Sequence, residues 1–200
     1  MRTVLFLLAS SLLTALTSVP VDGQEYTLSP ESSLAINGTS SVNSFTCKAD
    51  EMDGSGTLRG EESTESPARI EVLAHELDCG HRKMNRDLRD ALKADEFPII
   101  SFQLQHAELI AANGSDSEGM TVQVVGTLTL AGHARDIAVL LHATSLPDGR
   151  VRGTGEKDLL MTDFGVKPPT ALMGLVKARD EITIVFDLTA APTASARAIK

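Results

Sequence analysis

The clearest pattern in the chain is a helical spacing of apolar residues that changes to a strand alternation at Pro98. The helical part carries four apolar residues at i, i+4, i+7 and i+8, the spacing of one helix face, namely Met84, Leu88, Ala91 and Leu92. Any such helix ends by Pro98, because the residue before a proline is pushed out of the α region. After it, Ile100, Phe102 and Leu104 alternate with polar residues. The pattern predicts one short helix that leads directly into a strand.

Most of the remaining chain has the alternation that is typical of β-strands. Strands are predicted at residues 26–28, 34–46, 57–60, 68–77, 98–109, 120–130, 137–144, 151–160 and 181–190. Turn signals interrupt them. Asn37-Gly38 is expected to break the first run as a turn or a bulge, and Pro147-Asp148-Gly149 is expected to form a tight turn. About eight strands at short, even intervals with one helix predict an all-β sandwich or barrel.

The first residues have the composition of a secretory signal peptide. Arg2 precedes an apolar run that extends to residue 16, and small and turn-forming residues follow it. The run is shorter than the about 20 apolar residues of a membrane span, although an uncleaved anchor is the alternative. We predict a signal peptide at residues 1–23, one domain at residues 24–190 and a flexible tail at residues 191–200. The mature protein is expected to be periplasmic or secreted.

The charge of the chain limits the classes of partner. The net charge is −9, and removal of the leader leaves it unchanged because Arg2 and Asp22 cancel. An acidic domain with one tyrosine and no tryptophan is a poor candidate for nucleic-acid binding, which favours basic patches. Stable insertion into a membrane is not expected either. The oligomeric state stays open, with a homodimer as one alternative.

No arrangement of residues points to catalysis, a cofactor or a metal. There is no Gly-x-Ser-x-Gly motif, and the carboxylate pair Glu61-Glu62 falls in a polar loop. The five histidines show no spacing typical of a metal site; they are His75, His81, His106, His133 and His142. The chain is therefore expected not to be an enzyme, and to bind neither metal nor cofactor.

The only two cysteines, Cys47 and Cys79, are predicted to form a disulfide. An exported protein reaches an oxidising compartment, where such pairs persist. Closing this loop would stabilise the fold by about 3 to 4 kcal/mol on the chain-entropy model. Two free buried thiols, or a metal site with His81, are the alternatives.

Several segments together resemble the YceI-like family of secreted, lipocalin-shaped lipid-binding proteins. The helix-to-strand stretch at residues 84–102 carries the resemblance, and similar segments occur in the same order at residues 34–45, 126–133, 163–166 and 181–188. The match covers residues 26–188. The cysteine pair departs from the general pattern of the family and indicates a subgroup.

The resemblance implies a closed antiparallel barrel of about eight strands, lipocalin-like, with one short helix capping or flanking it. It also implies an isoprenoid-type or fatty amphiphilic lipid as ligand. Candidates for the lumen are the alternating apolar residues of three strands, Ile100, Phe102, Leu104, Val122, Val124, Ile182, Ile184 and Phe186. The expected function is that of an exported carrier that encloses the lipid. An ordinary packed core at these positions is the alternative, and the protein would then be a stress-response or interaction protein without lipid cargo.

The predicted leader has a direct test in the mass of the exported protein. We expect intact-mass analysis of protein from the periplasm or the medium to show the loss of roughly the first 20 to 25 residues, with the mature chain starting near Gln24. Full-length protein in the membrane fraction would contradict the prediction.

Overall fold

The structure is a computed structural model that describes residues 23–49, 51–58, 68–112, 119–171 and 175–193. The predicted signal peptide therefore lies outside the described residues, apart from Gly23, and so does most of the predicted tail. The strands are β1 (Gln24–Leu28), β2 (Ser33–Ser40), β3 (Ser44–Ala49), β4 (Met52–Leu58), β5 (Arg69–Leu73), β6 (Leu77–Asp78), β7 (Ile99–Ala112), β8 (Met120–Leu130), β9 (His133–Ser145), β10 (Val151–Leu160), β11 (Thr170–Ala171) and β12 (Val176–Pro192). One α-helix, α1 (Arg82–Leu92), and two 3-10 helices (Ala74–Glu76 and Met161–Phe164) complete the described elements.

The strands form a closed antiparallel barrel, as predicted. β1 and β2 pair with β12 one after the other and together act as one strand of the wall. β4 pairs with β1 and β3 pairs with β2, so β4 and β3 together form the second wall strand. β5 pairs with β4 and β6 pairs with β3, and these two form the third. β7, β8, β9, β10 and β12 then follow in order, which gives eight wall strands. The pairing of Tyr26 with Pro192 closes the ring at one end.

The two faces of the wall differ because side chains alternate along a strand. On β12, Ile182 and Ile184 point inward with the apolar core. The outer face carries polar pairs, such as Arg152 Nε donating to Asp187 Oδ1 at 2.7 Å. The guanidinium group holds the pKa of the Asp187 carboxyl below its usual range. The inside of the barrel is thus mostly apolar, whereas the outside carries polar pairs beside exposed apolar residues such as Leu140 and Val185.

α1 starts and ends by capping, and Pro98 does not terminate it. At the start, His81 Nδ1 accepts a hydrogen bond from the Lys83 N–H at 3.3 Å. At the end, Lys93 adopts a left-handed conformation with φ of 51°, and its N–H donates to carbonyls of the last turn. Ala94 then turns into the core and is almost completely buried. The helix therefore stops well before the proline, at a cap that is usually formed by glycine.

Of the turn or bulge predicted at Asn37-Gly38, the turn is wrong, whereas the pairing of β2 with β12 does have an irregular register directly after Gly38. β2 continues through both residues, and the turn comes after it, where the Ser40 N–H donates to the Asn43 carbonyl at 2.7 Å. A glycine in a strand often marks close approach of a neighbour, and Gly38 pairs directly with Phe45.

Other strand limits also differ from the prediction. β4 begins at Met52 instead of residue 57, because Gly54 and Gly56 obscure its alternation. β12 begins at Val176 and continues to Pro192, two residues past the expected domain end at Ala190. The segment before β12, expected to be a loop, contains the second 3-10 helix, in which Phe164 is almost completely buried. This aromatic anchor attaches the end of β10 to the core.

A disulfide between Cys47 and Cys79 attaches the start of α1 to β3. The same region is held by Asn85, whose Oδ1 accepts from the Cys79 N–H at 2.8 Å and whose amide donates to Asp78 Oδ1 at 2.7 Å. The hydrogen bonds from Asn85 and from the Gly80 N–H hold the pKa of the Asp78 carboxyl below its usual range. Covalent and polar contacts thus fix the helix against the wall.

The disulfide can be tested by thiol labelling of the denatured protein. We expect no reactive thiol before reduction and two per chain after it. The Cys47→Ala, Cys79→Ala double variant should lose about 3 to 4 kcal/mol of unfolding free energy, because its unfolded chain is less restricted. Two thiols that react without reduction would show that the bond does not form.

Candidate ligand-binding cavity

The barrel encloses a cavity of about 510 Å³. This volume falls within the range of small-molecule sites, which is about 300 to 1,000 Å³. The inner faces of the wall strands and one face of α1 line the cavity, and nearly all of the lining atoms are apolar. The interior is therefore not filled by side chains.

Seven of the eight residues predicted for the lumen line this cavity. They are Ile100, Phe102, Leu104, Val124, Ile182, Ile184 and Phe186. Val122 does not. It lies at the edge of the cavity, since it pairs on one side with Leu141, which lines the cavity, and on the other with Leu109, which is 53% exposed. On all three strands, the alternation thus includes residues on the side of the wall that faces the cavity.

The apolar face of α1 also points into the cavity. All four residues that predicted the helix line the cavity: Met84, Leu88, Ala91 and Leu92. The helix thus covers one end of the barrel and contributes to the binding surface. Leu34, Ile36 and Phe45 also line the cavity, although they were not among the residues predicted for the lumen. The alternation of Leu34 and Ile36 in β2 was the available signal for two of them.

Three phenylalanine rings of the cavity wall each lie over a glycine of the neighbouring strand. The pairs are Phe45 with Gly38, Phe102 with Gly126, and Phe186 with Gly155. The fit is close, since a Cβ atom added at Gly38 would lie 2.3 Å from Cζ of Phe45. Phe102, which is only half-buried, is thus part of the cavity wall. Each glycine provides space in which a ring packs against the wall, and this leaves the lumen open.

A small group of polar residues also lines the cavity. Ser40 Oγ donates to Asn43 Oδ1 at 2.9 Å, and Lys83 Nζ lies 2.6 Å from Asp87 Oδ2. These two pairs belong to the β2–β3 turn and to α1, at the end of the barrel that the helix covers. Lys157 of β10 is different, because it lies within the wall itself.

Two of the histidines contact separate partners in different parts of the barrel. His75 Nε2 lies 3.2 Å from Asp95 Oδ1, and His133 Nδ1 lies 3.0 Å from the Ala131 carbonyl oxygen. Among the residues that the structure describes, no group of three or more His, Cys, Asp or Glu side chains could hold a metal ion. Within the same residues, no helix has the length and apolar character needed to cross a membrane.

Comparison with known proteins matches the sequence of this chain to one family. The profile of the YceI-like domain matches residues 26–190. The chain belongs to the YceI-like family. A comparison with curated proteins finds no match.

Solved structures of similar shape show the same YceI-like fold. A polyisoprenoid-binding domain from Saccharophagus degradans, implicated in plant cell wall breakdown, has a TM-score of 0.68 at 16% identity and covers 84% of this chain and 98% of its own. BcnA from Burkholderia cenocepacia has a TM-score of 0.64 at 18% identity and covers 80% of this chain and 96% of its own. The YceI protein of Campylobacter jejuni has a TM-score of 0.55 at 17% identity, covering 74% and 84%. At these identities the likeness concerns the fold.

The contact between Phe45 and Gly38 can be tested in this YceI-like barrel by substitution. Gly38→Ala should lower the unfolding free energy by about 1 to 3 kcal/mol, because the new methyl group forces the Phe45 ring off the wall. Gly153→Ala is the matched control: its Cβ would meet nothing closer than a Leu141 carbon at 3.7 Å. Denaturant unfolding should show little loss for it, or a gain of about 0.4 to 1 kcal/mol.

The same substitution in a Phe45→Leu background tests whether the Phe45 ring is the group that the new methyl group contacts. In Phe45→Leu protein, Gly38→Ala should cost clearly less than in the parent, since the ring is gone. An equal cost in both backgrounds would contradict the assignment.

Proposed function

We propose that this protein is an exported carrier that encloses a long apolar lipid, of isoprenoid or fatty amphiphilic type, inside the barrel. The observation that carries the proposal is the cavity of about 510 Å³ with its nearly continuous apolar lining. Such a surface is exposed to water unless a ligand covers it. An apolar ligand is therefore the class of molecule that it favours.

The binding energy would come from burial of the hydrocarbon chain. Each methylene group moved from water into an apolar environment contributes about 0.8 kcal/mol. Association costs an estimated 4 to 15 kcal/mol in lost freedom, so a short chain does not bind tightly and a long one does. A cavity lined from Ile182 to Leu188 along β12 offers the required extended contact.

The relatives support a lipid as ligand. The family is the YceI-like one, and one structural neighbour is described as a polyisoprenoid-binding domain. The competing function, a stress-response or interaction protein with a filled barrel, requires side chains in the space that the cavity occupies. The cavity therefore favours the carrier, and we propose a binding role for the protein and no catalysis.

Export remains part of the proposal. The leader composition of residues 1–23 and the YceI-like domain that follows support a periplasmic or secreted location. A homodimer and a monomer would use the same internal cavity, because the cavity is built from one chain.

Native mass spectrometry of the purified protein, together with organic extraction, tests the proposal. We expect one lipid molecule per chain, released by extraction and identified by its mass. The same spectrum distinguishes monomer from homodimer. Protein that carries no lipid after purification, and takes up none when offered isoprenoid alcohols or fatty acids, would refute the carrier function.

A variant that fills the lumen should lose the lipid. Val139 of β9 is buried and lines the cavity, whereas Ala138 beside it is exposed on the outer face. We expect Val139→Trp to reduce lipid occupancy at least tenfold, because the indole occupies the space of the ligand. Ala138→Trp is the matched control and should keep full occupancy. Circular dichroism should show a folded barrel for both, and lipid retained by folded Val139→Trp would place the ligand elsewhere.

A further inference from the structure

Lys157 lies on the inner face of the barrel wall. It pairs with Ile184 across β10 and β12, and residues paired directly in an antiparallel sheet point to the same side. Ile184 lines the cavity, and so do Leu159, two residues along β10, and Lys157 itself. The lysine thus lies midway along a wall that is otherwise apolar. Its partner Ile184 lies between Ile182 and Phe186 on the inner face of β12.

The two other charged residues that line the cavity have partners, whereas Lys157 has none among the residues that the structure describes. Lys83 and Asp87 form an ion pair with each other, and the His81 ring caps α1. No ion pair or hydrogen bond joins the Lys157 ammonium group to any residue within the described ranges. The side chain therefore brings an unpaired positive charge to the cavity.

The wall is incomplete beside this lysine. β9 and β10 pair from Ser145 and Val151 to Leu141 and Gly155, and their pairing ends there. β10 continues for five more residues, and among the residues that the structure describes these pair with β12 alone. Main-chain groups on the free edges of β9 and β10 are thus available near Lys157 for further polar contacts.

A cation in an apolar site is costly unless an anion or a strong acceptor pairs with it. Within this cavity the wall supplies no carboxylate at the level of Lys157, since its neighbours on the inner face are Ile184, Leu159 and Gly155. A ligand can supply the missing group. Hydrogen bonds between ammonium and carboxylate or phosphate are charge-assisted and stronger than neutral ones.

We propose that Lys157 binds the anionic headgroup of the ligand, so that the cargo is an acidic amphiphile, with a carboxylate or a phosphate at the end of its chain. This inference rests on the proposed carrier function and narrows it. The hydrocarbon lies against the apolar wall and α1, and the headgroup lies at Lys157, beside the unpaired edges of β9 and β10.

Two probes with the same chain and different headgroups test the proposal. cis-Parinaric acid is ionised at pH 8, and its methyl ester carries no charge. Fluorescence titration of the mature protein should show at least tenfold tighter binding of the acid, equivalent to about 1.4 kcal/mol. Lys157→Met keeps the length of the side chain without the charge. In this variant the affinities for the acid and the ester should differ by no more than about twofold, and the affinity for the ester should equal that of the parent.

Lys48→Met is the matched control, because Lys48 is exposed on β3 and does not line the cavity. It should keep the preference of the parent for the acid. A comparison of farnesyl phosphate with farnesol as competitors then identifies the source of the charge. If farnesyl phosphate displaces the fluorescent probe more strongly than parinaric acid does, the headgroup is a phosphate. If it displaces the probe less strongly, the headgroup is a carboxylate.

The outcomes separate this inference from the carrier function. Equal binding of acid and ester by the parent, or an acid preference that survives in Lys157→Met, would overturn the role of Lys157 and leave the carrier intact. Failure of every probe to bind would overturn both.

Discussion

An eight-stranded sheet closes into a barrel when its last strand pairs with its first, and β12 meets this condition through its length. It pairs with β10 along one edge and with β2 and then β1 along the other. Its register also decides which side chains face inward, since a slip of one residue would turn Ile182, Ile184 and Phe186 toward the solvent. The cavity, the cover formed by α1 and the position of Lys157 all depend on this pairing.

The enclosed apolar space has a cost that a ligand can offset. Unfilled apolar volume destabilises a protein because the lining atoms lose contacts. Phe45, Phe102 and Phe186 nevertheless lie against the wall over glycines, which leaves the lumen open. A ligand that binds the folded state alone would stabilise the protein by an amount that grows with the logarithm of its concentration relative to Kd. The packing of these rings thus leaves the lumen to a ligand and does not fill it with the protein's own side chains.

The position of α1 illustrates how far local patterns predict this fold. The spacing of Met84, Leu88 and Leu92 identified both the helix and the face that points into the cavity. The helix ends well before Pro98, because Lys93 adopts a left-handed conformation that glycine usually provides. Ala94 is almost completely buried directly after it, and that tertiary contact favours the early cap. No local sequence pattern predicted this cap at Lys93.

The sequence by itself determined the alternation of the strands, the single amphipathic helix and the family, because periods of 2 and 3.6 are local properties of the chain. The tertiary structure alone decided which residues meet across strands. Gly38 has the local appearance of a turn residue, yet it is a strand residue whose missing side chain accommodates the ring of Phe45. Lys157 has the appearance of an ordinary surface lysine in a polar strand, yet its pairing with Ile184 turns it inward. Both positions depend on register, and register is set by pairing between segments that are distant in sequence.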